Sequence, residues 1–250
     1  MRAAIRNWMK DAPLVIGHRG ACSAAPENTL AAFRRAVEQG ADAIEFDAKL
    51  SSDGAVVIHH DRTLDRTTDG TGPVSSHPLR ELKQLDAGSS FHASFAGERI
   101  PTLDEVIESV GKVLLLNIEL TNYAHPRNAL PEKVIEMVTR MGMQDRVLLS
   151  SFNPYALRRV RHLAPGLPTG LLLMPQQPRF VRAFLRWRVD YDAYHPHLSM
   201  VAERSTQAAS ASMPVNVWTV NAEDAMQRCI RAGVAGIITD YPARARRLLG

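Results

Sequence analysis

Short apolar segments alternate with amphipathic segments along most of the chain. The apolar runs are typical of buried strands, and the segments between them repeat apolar residues at helical spacing. The predicted strands cover 14–17, 43–48, 113–120, 147–152, 169–173, 193–194, 215–220 and 236–239. The predicted helices cover 28–39, 102–109, 131–141, 154–163, 180–187, 199–212, 222–232 and 243–249. This alternation predicts the α/β class and, more narrowly, a parallel (β/α)8 TIM barrel.

One segment, approximately 52–99, interrupts the alternation. It is rich in glycine, serine, threonine and histidine, and its regular features are a strand-like run at 56–58 and a predicted helix at 79–84. We interpret this segment as a small inserted subdomain after the second strand. Because a chain of 250 residues with 45% hydrophobic residues can bury the core of one large domain, we predict a single TIM-barrel domain over residues 1–250.

Two polar residues are predicted to mark helix starts. Asn28 follows Pro26 and is expected to cap the first helix, since its side chain can accept a hydrogen bond from a free amide of the first turn. Thr102 is expected to cap the next helix for the same reason. In a TIM barrel the functional residues follow the carboxyl ends of the strands, so polar residues at those ends are the candidates for chemistry.

The second predicted strand carries two carboxylates on one face. Glu45 and Asp47 are spaced i, i+2, whereas Ile44 and Phe46 point the other way. Carboxylates held on one face repel each other unless a proton or a cation lies between them. A hard divalent cation, Mg²⁺ or Ca²⁺, would satisfy the pair because both ions prefer oxygen ligands. A surface salt bridge of one carboxylate is the alternative.

Candidate proton-transfer and phosphate-binding groups lie at the ends of other apolar runs. His18 and His60 could act as base and acid on opposite sides of a reacting phosphorus, because the pKa of histidine lies nearest neutrality. A hydrogen-bonded structural role is the alternative for each. Arg19 offers a planar cation suited to a phosphate, or else an ordinary ion pair with Glu45 or Asp47.

Composition excludes some classes of function. Thirty Lys and Arg residues against 26 Asp and Glu give a net charge of +4 without a basic stripe, so we expect no nucleic-acid partner. No apolar run approaches the ~20 residues that span a bilayer, so stable membrane insertion is not expected. Cys22 and Cys229 form no disulfide framework or metal spacing, and residues 1–11 lack the apolar core of a signal peptide. We therefore expect a cytoplasmic protein.

A series of short motifs runs in order from about residue 14 to the C-terminus. They are GHRG at 17–20, PENT at 26–29, E-x-D at 45–47, DG at 53–54, HD-x-x-L-x-RTT at 60–68, IPTL-x-E at 100–105, NIE at 117–119, SF at 151–152, WTVN at 218–221 and TDYP at 239–242. Each motif alone is weak. Together and in this order, they resemble the glycerophosphodiester phosphodiesterase family of the bacterial cytoplasmic type.

The resemblance implies a role for individual residues. It implies metal ligation by Glu45, Asp47 and Glu119, catalysis by His18 and His60, phosphate contact by Arg19, and contact with the glycerol of the substrate by Trp218. A structural role in the barrel wall is the alternative for Trp218. Glu27, the acidic residue of PENT, is expected near the metal or His18.

The implied activity is metal-dependent hydrolysis of a small-molecule glycerophosphodiester to glycerol 3-phosphate and an alcohol. The sequence leaves open the choice of Mg²⁺ or Ca²⁺, the headgroup, which histidine is the base, attack by water or by the 2-hydroxyl of glycerol, and the oligomeric state. Two alternatives remain. One is a related barrel phospholipase or lyase on lipid headgroups, for which 180–187 is the amphipathic segment to test. The other is a non-catalytic binder of phosphorylated ligands.

The chain departs from the family pattern at Thr121. The family often has a lysine at this position, two residues after the third carboxylate. Another group must then supply the positive charge, with His195, His197 or a basic helix as candidates, or the substrate differs. His59 precedes His60, and because alternate strand residues face opposite ways, at most one of them should face the metal. The resemblance favours His60.

Overall fold

The chain forms a ring of parallel strands with helices outside it. The computed structural model describes residues 8, 13–201, 206 and 213–250. Their strands are β1 (Leu14–His18), β2 (Ala43–Leu50), β3 (Val56–Ile58), β4 (Leu115–Leu120), β5 (Val147–Ser151), β6 (Thr169–Leu173), β7 (Ala193–Pro196), β8 (Asn216–Val217) and β9 (Gly236–Thr239). Their helices are α1 (Leu30–Glu38), α2 (Leu79–Leu82), α3 (Leu103–Val110), α4 (Leu130–Arg140), α5 (Pro154–Leu163), α6 (Arg179–Arg188), α7 (Glu223–Arg231) and α8 (Pro242–Leu249).

The strand order closes the barrel. Parallel neighbours follow the order β7-β6-β5-β4-β2-β1-β9-β8. The first and last strands of this order meet through two parallel bridges, Tyr194 with Val215 and His197 with Trp218. The short β3 pairs antiparallel with the end of β2 and stays off the ring. The predicted TIM barrel is therefore confirmed. Strand β3 lies in the interrupting segment at about 52–99, which we call the excursion.

The outward faces of the strands pack beneath the helices. Ile44 and Phe46 of β2 belong to a large buried cluster that also includes residues of α1, α3 and α4. Phe33 of α1 meets Phe46 with ring centroids 5.5 Å apart. Burying a side chain of this size stabilises the fold by about 1.5–3 kcal/mol. Because apolar residues occupy the outer face of β2, its polar residues point into the barrel.

The predicted cap of the first helix is wrong by one residue. Helix α1 begins at Leu30, and Thr29 is the N-cap, with its hydroxyl accepting a hydrogen bond from the amide of Ala32. Asn28 adopts a left-handed backbone conformation, with φ of 57°, that turns its side chain towards the barrel. The predicted cap at Thr102 is confirmed, with Glu105 completing a capping box.

The excursion after β2 has a small apolar cluster of its own. This cluster consists of Val57, Leu64, Val74, Leu82, Ala87 and Ile100. Helix α2 ends at Leu82, two residues before the predicted end, and the next residue, Lys83, pairs with Glu105 of α3 at 2.7 Å. The excursion is thereby tied to the barrel helices.

Two further expectations concern the remaining segments. A short 3-10 helix occupies Leu198–Met200, and most of the helix predicted at 199–212 lies outside the described residues. None of the helices in the described ranges has the length and apolar character needed to cross a membrane.

Candidate active site

Three carboxylates meet where β1, β2 and β4 lie side by side. The strand register places Asp47 of β2 directly beside Glu119 of β4, and Glu45 beside His18 of β1. Oxygen atoms of Glu45, Asp47 and Glu119 all lie within 4.8 Å of one another. Asp47 is 1% exposed and Glu45 is 5% exposed. Residues from distant parts of the sequence thus form one compact set of hard oxygen donors, in which Glu45 and Asp47 are buried and Glu119 is partly exposed.

Burial and the charges of neighbouring carboxylates raise the pKa of two of these groups, Glu45 and Glu119. Burial, reinforced by the charges of Asp47 and Glu119, raises the pKa of Glu45 well above its ordinary value. Burial, with the charge of Asp47, raises the pKa of Glu119 to about 8. A divalent cation would neutralise this mutual repulsion, and an all-oxygen donor set is the type that Mg²⁺ and Ca²⁺ bind. The residues therefore fit the metal implied by the sequence.

Neighbouring side chains hold two of the carboxylates in place. Asn28 donates its side-chain amide to Asp47 at 3.0 Å, which explains why it does not cap the helix. Tyr123, in the loop after β4, donates its hydroxyl to Glu119 at 2.5 Å. Burial, together with the charge of Glu119, keeps the pKa of Tyr123 well above its ordinary value. The phenol therefore remains a proton donor to the carboxylate at neutral pH.

Arg19 lies among three acidic residues. Its amide donates to Glu45 at 3.2 Å, its Nη1 donates to Glu27 at 2.9 Å, and its Nε lies 3.4 Å from Asp47 without a hydrogen bond. The backbone turn that follows Arg19 requires a glycine at position 20, because a Cβ at Gly20 would come within 2.7 Å of the Ala32 backbone. Arg19 thus pairs with Glu27 in addition to lying beside Asp47, one of the two partners considered from the sequence.

His18 is oriented by a residue from the last strand of the barrel. Its Nδ1 lies 2.6 Å from Asp240, which directly follows β9, and β1 pairs with β9. Asp240 also accepts hydrogen bonds from Asn221 at 2.6 Å and from the Cys22 thiol at 3.1 Å. Although burial opposes it, the hydrogen bond from His18 lowers the pKa of Asp240 to about 2. Because an ionised carboxylate only accepts, Nδ1 carries the hydrogen and Nε2 is left for chemistry.

His60 is oriented by its neighbour in sequence. Its Nδ1 lies 2.6 Å from Asp61, which accepts a hydrogen bond from Arg66 Nε at 2.6 Å. The hydrogen bond from Arg66 lowers the pKa of Asp61 below its ordinary value. Arg66 also donates to Glu27 at 2.7 and 2.8 Å. His59 is buried, and its Nε2 lies 3.0 Å from the carbonyl of Thr63, so it makes a different contact from His60.

Trp218 belongs to a row of aromatic side chains that begins at the carboxylates. Tyr123 packs edge-on against Phe152, and Phe152 packs edge-on against Trp218 with centroids 5.5 Å apart. The indole of Trp218 also meets His197 and donates to the carbonyl of His195 at 2.9 Å. It therefore forms part of the wall at the β7–β8 closure while remaining half-buried.

A cavity of about 590 Å³ opens beside this constellation. Its lining includes Lys49, His60, Glu119, Thr121, Tyr123 and Phe152. The excursion contributes His60 and its neighbours, and the barrel strands contribute the carboxylate side. The cavity is large enough for a small phosphodiester, and both acidic and basic groups line it.

Two of the candidates for the positive charge missing at Thr121, His195 and His197, are engaged elsewhere. His195 is fully buried beside Asn216, and burial lowers its pKa to about 3, so it is neutral. His197 hydrogen-bonds Ser199 and packs on Trp218. The cation beside Thr121 is instead Lys49, whose Nζ donates to the Thr121 hydroxyl at 2.9 Å. The signal was present in the strand period, because Glu45, Asp47 and Lys49 alternate onto one face.

Comparison with known proteins identifies the relatives of this chain. The model of the glycerophosphoryl diester phosphodiesterase family matches residues 18–244. The chain belongs to this family. A glycerophosphodiester phosphodiesterase from Caldanaerobacter subterraneus subsp. tengcongensis is 44% identical over 232 residues, which cover 92% of this chain and 94% of the relative.

Solved structures extend the family likeness to the fold. A phosphodiesterase from Oleispira antarctica, in complex with the product sn-glycerol-3-phosphate, is 34% identical with a TM-score of 0.87, over 95% of this chain and 96% of that one. A glycerophosphodiester phosphodiesterase from Agrobacterium tumefaciens is 29% identical with a TM-score of 0.79, over 94% and 99% of the two chains. This family member therefore shares its barrel with phosphodiesterases.

The segment considered for lipid contact offers little apolar surface among its described side chains. Phe180 of α6 is 75% exposed, whereas Leu185 is buried against the barrel. The side chains of Phe184 and Trp187 lie outside the described residues. The described part of α6 therefore presents a single large exposed apolar side chain, that of Phe180.

Proposed function

We propose that this protein is a metal-dependent enzyme that hydrolyses glycerophosphodiesters to sn-glycerol 3-phosphate and a free alcohol. The observation that carries the proposal is the meeting of three carboxylates, two buried and one partly buried, with two histidines. Each histidine is held through Nδ1 by an aspartate. Membership of the family and the product complex of the Oleispira relative support the same reaction.

We assign the metal to Glu45, Asp47 and Glu119. A divalent ion bound by these carboxylates would polarise the phosphoryl group and neutralise its charge. Arg19 is assigned to a second phosphoryl oxygen, where its guanidinium would stabilise charge that develops during the reaction. Its Nε, which lacks a hydrogen-bond partner among the described residues, supports this assignment.

His18 and His60 are proposed to move the protons. One takes the proton of the attacking hydroxyl at its Nε2, and the other gives a proton from Nε2 to the oxygen of the leaving alcohol. The attacking group is a water or the 2-hydroxyl of glycerol, which would give a cyclic phosphate first. The excursion at about 52–99 serves in this proposal as the inserted subdomain that supplies His60.

Trp218 is proposed to contact the glycerol of the substrate. Its half-buried indole lies beside Phe152, which lines the cavity. An aromatic face excludes water around the carbon chain of a small polyol, while its edge contacts with Phe152 and His197 restrict its movement.

The deciding experiment measures release of glycerol 3-phosphate from glycerophosphocholine by the purified protein. We expect turnover that EDTA abolishes and that added Mg²⁺ or Ca²⁺ restores, with the better ion identifying the metal. Glu119→Gln should weaken Mn²⁺ binding in calorimetry, and Glu108→Gln, on α3 outside the site, is the control. Turnover that persists after chelation would remove the metal assignment.

Two further measurements separate the alternatives. Phosphorus NMR of the reaction distinguishes a cyclic phosphate, which has its own resonance, from direct formation of glycerol 3-phosphate. Co-sedimentation with phospholipid vesicles, together with release of headgroup from them, tests action on lipids. Turnover confined to vesicle lipids would replace glycerophosphodiesters by a lipid substrate, and tight product binding without any turnover would identify a non-catalytic binder.

A further inference from the structure

Lys49 and Thr121 form a second cross-strand pair above the carboxylates. Asp47 and Glu119 are register partners on β2 and β4. Side chains alternate between the two faces along each strand, so the residues two positions later face the same way. The amide of Thr121 donates to the carbonyl of Ala48 at 3.2 Å, which continues the pairing beyond β4. Lys49 and Thr121 therefore stand beside each other at the rim of the barrel.

The Thr121 hydroxyl is arranged to receive the lysine. It donates its own hydrogen to the carbonyl of Ala48 at 2.7 Å, so its lone pairs face the ammonium. Lys49 Nζ donates to that oxygen at 2.9 Å. An ammonium has three donors, and among the described residues one of them is engaged in this hydrogen bond. The ammonium lies at the cavity that also contains Glu119 and His60.

We infer that Lys49 contacts the phosphate of the substrate and that Thr121 is its positioning residue. This inference rests on the proposed function and adds a residue to it. Neighbouring strands lie about 4.8 Å apart, a distance that a four-carbon side chain spans, so a lysine on β2 reaches the space that a lysine at position 121 would occupy. The charge that the family often places at position 121 is thus supplied here from the adjacent strand.

A second role for Lys49 would be to offset the charge of the carboxylates alone. Asp47, Glu119 and Asp61 all act on it electrostatically. The two roles make opposite demands on binding. If Lys49 only balances the carboxylates, removing it leaves the affinity of the protein for phosphate unchanged. If Lys49 binds the phosphate, removing it weakens the affinity for phosphate and leaves the affinity for glycerol unchanged.

The test compares Lys49→Met, Lys49→Arg and the exchange Lys49→Thr/Thr121→Lys. Losing a preorganised cationic donor costs about 10²-fold in kcat/KM, so we expect that loss in Lys49→Met. Arginine should retain part of the activity, and the exchange should recover at least tenfold over Lys49→Met. Lys133→Met, which removes a half-exposed lysine of α4, is the matched charge control and should match the unmodified enzyme.

Thr121 needs a readout of positioning. Thr121→Val removes the hydroxyl with little change in shape, and we expect about a tenfold loss in kcat/KM. Thr121→Ser keeps the hydroxyl and should restore the activity. The double variant Lys49→Met/Thr121→Val should be no worse than Lys49→Met, because the hydroxyl acts through the lysine. Additive losses would overturn the positioning role.

Binding measurements separate this inference from the proposed function. In calorimetry with Mn²⁺ present, Lys49→Met should bind sn-glycerol 3-phosphate at least tenfold more weakly, with Mn²⁺ affinity unchanged or increased. Unchanged affinity for glycerol 3-phosphate, or activity of Lys49→Met within threefold of the unmodified enzyme, would overturn the inference. A protein that lacks turnover yet shows the lysine-dependent binding would overturn the proposed function alone.

Discussion

The two histidines of the site each have an aspartate as immediate partner, but their surroundings differ. In each, Nδ1 lies 2.6 Å from an aspartate oxygen. The partner of His18 lies 222 positions away, where the barrel closes on itself, and the partner of His60 is the next residue. The His18 side chain is 19% exposed and that of His60 is 40% exposed. One imidazole is fixed by the barrel and the other by a local turn of the excursion.

The same histidine–aspartate pair is therefore formed by a long-range contact in one case and by neighbouring residues in the other. The barrel side depends on the strand register, because β1 and β9 must pair for Asp240 to reach His18. The excursion side depends on a chain of charged groups in which Arg66 links Asp61 to Glu27. We expect the His18–Asp240 pair to be more rigid than the His60–Asp61 pair. Matched substitutions in the two pairs test this expectation.

The largest expected effect is loss of either histidine. His18→Ala and His60→Ala should each lower kcat by about 10²–10⁴-fold, the usual contribution of a general acid or base. A substrate with a p-nitrophenol leaving group does not need an acid. The variant whose activity this substrate restores has lost the acid, and the other has lost the base. If each variant loses as much activity with the p-nitrophenol substrate as with glycerophosphocholine, the division into one acid and one base would be contradicted.

Replacing the aspartates should give unequal losses. Asp240→Asn should lower kcat by about 10²-fold, since the amide no longer stabilises a charged imidazole or selects its tautomer. Asp61→Asn should cost about tenfold, because His60 is more exposed and water can orient it in part. Steady-state kinetics on both variants check the order. A greater loss in Asp61→Asn would reverse the comparison.

A smaller effect is expected at Arg66. Arg66→Met leaves Asp61 and Glu27 without their shared partner, and we expect a three- to tenfold loss in kcat with little change in melting temperature. Arg80→Met, an exposed arginine of α2 in the same excursion, is the control and should behave as the unmodified enzyme. An equal loss in both variants would show that net charge alone matters.

The smallest effect concerns acid stability. The pKa of Asp240 is lowered to about 2 from an ordinary 3.8, so its ionised form stabilises the fold. That contribution is complete above about pH 4 and is lost as the pH falls towards 2. Urea unfolding at pH 6 and pH 2.5 should show the free-energy advantage over Asp240→Asn shrinking by about 1–2 kcal/mol. A constant difference would contradict the stabilising role of the carboxylate.

Much of the barrel could be predicted because strand and helix periods are local properties of the chain. The strand at Thr169–Leu173 and the helix at Pro154–Leu163 coincide with their predicted bounds. The cap of α1 could not be read, because Asn28 and Thr29 are both good caps and the contact of Asn28 with Asp47 decides between them. That contact belongs to the tertiary structure.

The site divides in the same way. Strand alternation and the family motifs predicted the carboxylates and both histidines, and the structure places these residues at the same end of the barrel. Tyr123 could not be predicted, since it lies in an irregular loop whose path no periodic pattern describes. Lys49 was predictable from the sequence, because it continues the alternation of Glu45 and Asp47, although the family pattern points to a cation at position 121.

Glu27 receives hydrogen bonds from two arginines that serve different parts of the molecule, Arg19 at the start of the barrel and Arg66 in the excursion. The Glu27 side chain is therefore one of the contacts, together with the Lys83–Glu105 pair, that join the excursion to the barrel. Grafting the excursion of another family member onto this barrel would therefore require an arginine equivalent to Arg66, because without it Glu27 would lose its contact with the excursion.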